Sequence, residues 1–497
     1  MESFGAWSVV PPMLALVLAI STRNVILSLG VGVLLGMTIH AGFHPWLGLV
    51  DFFERGILAQ LSQGSNAEVA IIILVIGGFV HLLDRSGGMV SFAARMTRVV
   101  DSPLKAQLSV WLTGLAIFFT DSGNPLILGP MFRPIFTAKR ICTEKLAFII
   151  DSTSAPVCVL VPFISWGVYI LSLMEKSFGA AGIGEEPLHA LLSALPFQLY
   201  PLLALLTVPL LALTGREYGP MARAQSRARL DPRDPVPPEP ETSTEPRASS
   251  RAVVLPLATM LLVLFGLFGL FIAQLGQLPG DKVRLSLILG YLSATAVCAG
   301  LLSREHILGL AESFRVFVEG MGRMVLIVLI LLLAWSLGDV CELLGTGPFV
   351  ARAFDHILSP GLLPAVVFLL GGLFALSTGS SWGTFALLLP IAIPVAHETG
   401  ASLPVTLAAV LSGGIFGDHC SPVSDTTILS SMASGCAHAD HVNTQLVYAL
   451  TTGATAFVGF VVAGLTGFHG TIAIVLVLQV LVTVGLARFL GVPSHPR

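Results

Sequence analysis

The chain has 497 residues, 54% hydrophobic and only 11% charged, with mean hydropathy +0.87 and formal net charge −3. A soluble protein carries roughly a quarter charged residues, so the apolar excess must face a lipid bilayer. A chain so close to neutral, without a large basic patch, excludes nucleic acid as a partner.

The six cysteines (Cys142, Cys158, Cys298, Cys341, Cys420, Cys436) form neither a CxxC pair nor a secreted-type framework, and read as reduced core residues. The start MESFGAW lacks the basic stretch of a signal peptide, so the apolar run 7–20 is expected to be a retained helix. Runs long enough for a hydrocarbon core of roughly 30 Å recur along the chain, that first one included. In the first half they are 8–21, 24–40, 69–83, 144–173 and 190–214. Between the third and fourth lies 104–136, interrupted at Thr120–Pro125 (TDSGNP). The interruption comes roughly 24 Å along a helix rising 1.5 Å per residue, which predicts a re-entrant hairpin rather than two full spans.

Residues 215–251 differ in kind. They hold seven arginines and the run DPRDPVPPEPE, which predicts a disordered cytoplasmic linker. Beyond it the pattern recurs: 252–274, 285–302, 324–343, a hairpin over 362–396, 404–432 and 444–467, then an extra span at 471–490. Local matches keep their order, with Asp84 answered by Glu342, Pro130 by Pro390 and Pro156 by Pro422. The expected fold is an all-α polytopic membrane protein with two inverted-topology repeats. Each has five spans plus a re-entrant hairpin, and the extra span brings the total to about 11 transmembrane helices. The domains are then 1–214, the linker 215–251, 252–467, and 468–497 with the extra span and tail. Placing the N-terminus outside puts all of the 26 Lys and Arg residues inside except Arg55, Lys176, Lys282, Arg284 and Arg352. The positive-inside rule therefore orients the chain in a cell (inner) membrane with its C-terminus cytoplasmic.

Irregular backbone at membrane depth is tolerated only where protein or a water-filled cavity satisfies it. Four such places are expected: the hairpin tips Thr120–Pro125 and Ser377–Gly383, and the broken helices Asp151–Pro156 and Gly417–Thr427. Paired breaks in corresponding positions of two halves point to a transport site. Asp121, Asp151, Asp418 and Asp425 all fall there. An aspartate at a helix centre costs roughly 2.5–3.5 kcal/mol, so each needs a reason: ion binding and proton coupling, or capping of a half-helix. Asp418 and Asp425 share one break and carry the stronger case. Asn124, Ser152, Ser154, Thr378, Ser380, Ser381, Ser421, Thr426 and Thr427 are the candidates to complete an oxygen shell around sodium. His419 reads as a proton relay or as a packing histidine. Asp418, His419 and Cys420 diverge on one helix and do not make a metal site. His438, Asp440 and His441 are expected in a cytoplasmic loop, and Asp84 and Glu342 at the interface. No cofactor is expected; the only small species are transported sodium and protons.

The stretch GDHCSPVSDTTILSS at 417–431, followed by HVNTQLVYA at 441–449, resembles the hallmark of the NhaC-type sodium/proton antiporters. DSGNPLILG at 121–129, Arg133-Pro134, and KLAFIIDSTSAPV at 145–157 are similar to that family's other signature. The resemblance runs from about Val69 to the end and implies the ion-transporter superfamily fold of inverted repeats with hairpins. Ser122 departs from it, standing where the family pattern often has a second acidic residue. The implied function is export of cytoplasmic sodium, with lithium, against external protons by alternating access; the chain is not an enzyme. The alternative is a sodium- or proton-coupled exchanger of organic acids or amino acids, favoured if Arg133 lies deep. A homodimer is the expected assembly for this architecture.

Overall fold

Backbone polar groups in a bilayer must find partners within the protein, which leaves apolar segments little choice but helix. The computed structural model describes residues 4–96, 100–230, 248–276, 278–354, 359–467 and 470–493. Its regular structure is helical apart from one pair of two-residue strands. Among the described residues nine helices are long and apolar enough to cross a membrane. The number is eleven if each of two bent pairs counts as one span: Val25–His40 with Pro45–Ser62 (119°), and Pro187–Phe197 with Leu199–Thr214 (43°). The chain is thus an all-helical, multi-pass membrane protein.

The order of elements is the same in both halves. In the first, Val10–Thr22 and Val25–His40 lead through Pro45–Ser62 to Gly64–Arg85, then to the helix pair Pro103–Ala116 and Gly123–Ala138. In the second, Arg251–Leu275 and Gly280–Arg304 lead through Leu310–Arg323 to Val325–Leu344, then to Leu363–Thr378 and Ser381–Thr399. A broken segment follows each pair, and Leu199–Thr214 and His438–Thr466 close the two halves. Thr471–Phe489 is additional. It is held through fully buried Gln479, whose Nε2 donates to Thr207 Oγ1 (2.8 Å) and Thr452 Oγ1 (3.2 Å).

Packing between the halves is reciprocal. Val25–His40 lies on Val325–Leu344, as Gly280–Arg304 lies on Gly64–Arg85. Gly123–Ala138 packs on Asp425–Ser434, as Ser381–Thr399 packs on Ser165–Ala181. Leu310–Arg323 seats its inner face in a glycine slot of Gly64–Arg85, where a Cβ on Gly78 would lie 2.6 Å from the Phe317 ring. Small residues let helix backbones approach where no hydrophobic force drives them together.

Three expectations are corrected. The run 144–173 breaks beside Asp151–Pro156 as expected, but the break is longer: helix stops after Ser152, turns briefly over Ala155–Cys158, and restarts only at Ser165. Pro156 cannot continue the first piece, and a Cβ on Gly167 would lie 2.2 Å from the Pro162 carbonyl oxygen, so the chain folds sharply between them. The linker is not disordered from its start. Arg216–Glu217 pairs antiparallel with Val492–Pro493, and Pro220–Leu230 is helical. Ala, Arg, Gln and Met there are good helix formers. The proline-rich run within 231–247 lies outside the described residues. Finally, His438, Asp440 and His441 are not in a loop; they open helix His438–Thr466.

Candidate ion site

Both breaks have local causes. Helix Leu403–Cys420 ends where Ser421 turns extended ahead of Pro422, and helix Asp425–Ser434 begins three residues later. Thr153 and Ser154 leave helical geometry ahead of Pro156. The tip of the second pair, Gly379, has φ +65° and presses on the break itself, since a Cβ there would meet Val423 O at 2.6 Å. Only glycine meets both demands.

These breaks divide the four carboxylates into two kinds. Asp121 precedes helix Gly123–Ala138 and Asp425 is the first residue of Asp425–Ser434, so both sit at helix N-termini. Each accepts the next backbone N–H, from Ser122 at 2.8 Å and Thr426 at 2.9 Å. The positive end of a helix favours an anion there. Asp151 and Asp418 are the opposite case. They occupy the last turns of Thr143–Ser152 and Leu403–Cys420, where helix carbonyls point and a carboxylate is disfavoured. Both are buried, and Oδ1 of each accepts no hydrogen bond from the described residues.

Asp151 is the hub. Its Oδ2 accepts from Thr427 Oγ1 (3.1 Å) and Gln445 Nε2 (2.6 Å). His441 Nε2 lies 3.5 Å and His419 Nε2 4.0 Å from the same oxygen. His419 is gripped by Tyr200 OH at Nδ1 (2.8 Å) and Ser152 Oγ at Nε2 (3.3 Å). Asp418 has Ser381 and Ser424 as polar neighbours and lies in electrostatic range of the Asp425 and Asp151 carboxylates. Asp425 in turn lies in range of Asp121 and Asp151. Asp121 Oδ2 accepts from Trp166 Nε1 at 3.3 Å, and Trp166 packs on Trp382 with centroids 4.8 Å apart.

The uncharged candidates separate as well. Asn124 Nδ2 donates to the Gly114 and Thr153 carbonyls (3.3 and 2.9 Å), leaving Oδ1 buried without a donor. Ser154, Thr378, Ser381 and Ser421 give their protons to carbonyls of Ile150, Phe374, Gly414 and Leu376. Ser380 caps Gly383 N, and Thr426 is paired with Ser424. A hydroxyl that has donated keeps lone pairs for a cation, but only Ser152 and Thr427 reach the Asp151–His419 hub directly. No three His, Cys, Asp or Glu side chains among the described residues converge as a metal site.

Gln445, Tyr200 and Trp166 are site residues that the sequence reading did not name, and His441 is one that it placed in a cytoplasmic loop. His441 is fully buried. The signal for it was present: His441, Gln445 and Tyr448 recur at i, i+4 and i+7 of one helix, a polar stripe on a single face. Arg133 is exposed and lies over Gly435, beyond the far end of Asp425–Ser434, so it does not supply the deep cation that an organic anion would need. Asp84, expected at the interface, stands in the last turn of Gly64–Arg85 with its Oδ1 3.2 Å from where a Gly123 Cβ would stand.

Broken helices, tip-to-break contacts and buried carboxylates in a multi-pass helical protein fit a secondary antiporter, a class that is not an enzyme class. The chain belongs to the Na+/H+ antiporter family, whose family model matches residues 157–465. An uncharacterized protein of Haemophilus influenzae is 30% identical over 480 residues, covering 93% of this chain and 92% of its own. The arginine/ornithine antiporter ArcD of Halobacterium salinarum is 31% identical over 200 residues, 36% of this chain and 40% of that one. The crystal structure of the Alcanivorax borkumensis YdaH transporter matches the fold with a TM-score of 0.58 at 16% identity, covering 85% of this chain and 89% of its own.

Proposed function

We propose that the protein exports cytoplasmic sodium, and lithium, in exchange for external protons. The observation that carries this is the placement of Asp151 and Asp418 at the carbonyl ends of two half-helices. Buried carboxylates there need a cation or a proton, and alternate occupancy by the two is the simplest exchange cycle. Asn124 Oδ1 and Gln445 Oε1, both buried without donors, supply further oxygens. The reciprocal packing supports two inverted repeats, with the hairpins re-entrant and moving with the broken helices to expose the site alternately. The distribution of Lys and Arg supports an external N-terminus and a cytoplasmic C-terminus. We take the assembly to be a homodimer.

A second reading is exchange of amino acids, favoured by the arginine/ornithine relative. Four carboxylates and an exposed Arg133 would suit a cationic amino acid better than an organic anion. Proteoliposomes with an imposed pH gradient distinguish the two. Dissipation on adding sodium or lithium alone supports the antiporter. Dissipation that requires arginine or ornithine replaces it with the second reading, and dissipation that requires malate or lactate sinks both.

A further inference from the structure

Glu217 lies in the connector between the halves, outside both sets of membrane helices, yet is 2% exposed. Lys145 Nζ, 1% exposed, meets its Oε1 at 3.0 Å and its Oε2 at 3.1 Å. Tyr448 OH donates to Oε2 at 2.5 Å. The ammonium also lies 5.4 Å from the Phe148 ring centroid and 5.5 Å from that of Tyr448.

The two partners stand on the helices that meet at Asp151. Lys145 is on Thr143–Ser152, which carries Asp151; Tyr448 is on His438–Thr466, which carries His441 and Gln445. Phe148 fills the space between, edge-on to Tyr448 (5.1 Å) and stacked on His419 (6.4 Å). The rest of the connector holds the same two helices. Gln225 Oε1 accepts from Cys142 N at 3.0 Å, and Arg227 reaches Glu144 (3.1 Å) and Asp440 (3.8 Å). Stability alone does not require such a pair, because well-packed apolar residues replace buried ion pairs without loss. What a three-way polar contact adds is a fixed relative placement of the elements it joins.

We propose that Glu217 is a positioning residue for the ion site: it locks Thr143–Ser152 against His438–Thr466, so that Asp151 Oδ2 is held 2.6 Å from Gln445 Nε2 and 3.5 Å from His441 Nε2. This rests on the cation-site reading above. Outer partners that orient ligands are worth about 10- to 100-fold in affinity when lost. Glu217→Gln and Lys145→Met are therefore expected to raise KM for sodium by about that factor with kcat little altered.

The paired variant Lys145→Met with Glu217→Gln separates positioning from mere structure. It leaves no orphaned charge, so the thermal midpoint in detergent should return to that of the unaltered protein while KM stays high. KM returning together with the midpoint would overturn the proposal, as would an unchanged KM in all three variants. An unaltered protein that moves no sodium would sink the transport reading instead. The positioning claim is then judged from hydrogen exchange, which needs no substrate. Faster exchange at the amides of 149–153 and 441–446 in the paired variant upholds it, and unchanged exchange there overturns it.

Discussion

Replacing Gly417 with alanine tests whether backbone packing places Asp418. A Cβ at 417 would stand 2.1 Å from Gly372 O, 2.6 Å from Leu376 N and 2.7 Å from Ala375 Cβ, against 3.4 Å for ordinary contact. The worst shortfall is the difference, 1.3 Å, and its neighbour is a carbonyl that cannot rotate away. Leu363–Thr378 and Leu403–Cys420 must therefore separate by about 1 Å, which costs roughly 1–3 kcal/mol for overpacking. The Ser421 hydroxyl bond to Leu376 O, now 2.8 Å, would stretch beyond range, at a further cost of about 1 kcal/mol. A shift of about 1 Å beside a reacting group costs about a hundredfold in rate, and Asp418 is the next residue along. The assay is sodium-driven proton flux in proteoliposomes, with the thermal midpoint measured in detergent. Gly300→Ala is the control: nothing lies within 4 Å of a Cβ there. It should transport normally and gain up to about 1 kcal/mol in helix propensity. If Gly417→Ala behaves like that control, the seam between hairpin and broken helix does not place Asp418.

The two kinds of carboxylate should respond differently to neutralisation. Asp151→Asn and Asp418→Asn should abolish exchange, whereas Asp121→Asn and Asp425→Asn, whose amide oxygens still accept the N–H, should lose about 0.3–1 kcal/mol and retain measurable flux; the reverse ranking would refute the argument from helix ends. His441→Phe keeps an aromatic ring but removes the Nε2 that lies 3.5 Å from Asp151 Oδ2. It should fold normally but lower sodium flux about 10- to 100-fold, and a Phe variant with full flux would reduce His441 to packing.

Much of this was legible in the sequence because the bilayer narrows the choices. The apolar runs are helices, and the break between Cys420 and Asp425 falls where Pro422 requires it. Other features needed the third dimension. Residues 159–164 are apolar enough to read as continuous helix, yet they turn sharply where Gly167 packs on Pro162, a contact that hydropathy does not carry. The linker misled because composition averaged a helix-forming stretch, 220–230, with the proline-rich run after it. His441 was obscured by its charged neighbour Asp440, which suggested a loop although the i, i+4, i+7 stripe was present. The division of the carboxylates into helix starts and helix ends depends on where each half-helix stops, to the residue, and sequence places such boundaries only within a few positions.

The glycine slot on Gly64–Arg85 also bears on how the chain is made. The helix that fills it, Leu310–Arg323, is translated more than 200 residues later. At about 5–20 residues per second, the slot stays open for tens of seconds while the intervening spans are inserted. During that interval the first half is an unfinished surface in the membrane, competent to bind any small-residue groove that drifts past. Filling of the slot therefore waits on the C-terminal half, and a chain cut at the connector would yield two pieces that must meet laterally in the membrane before it is filled.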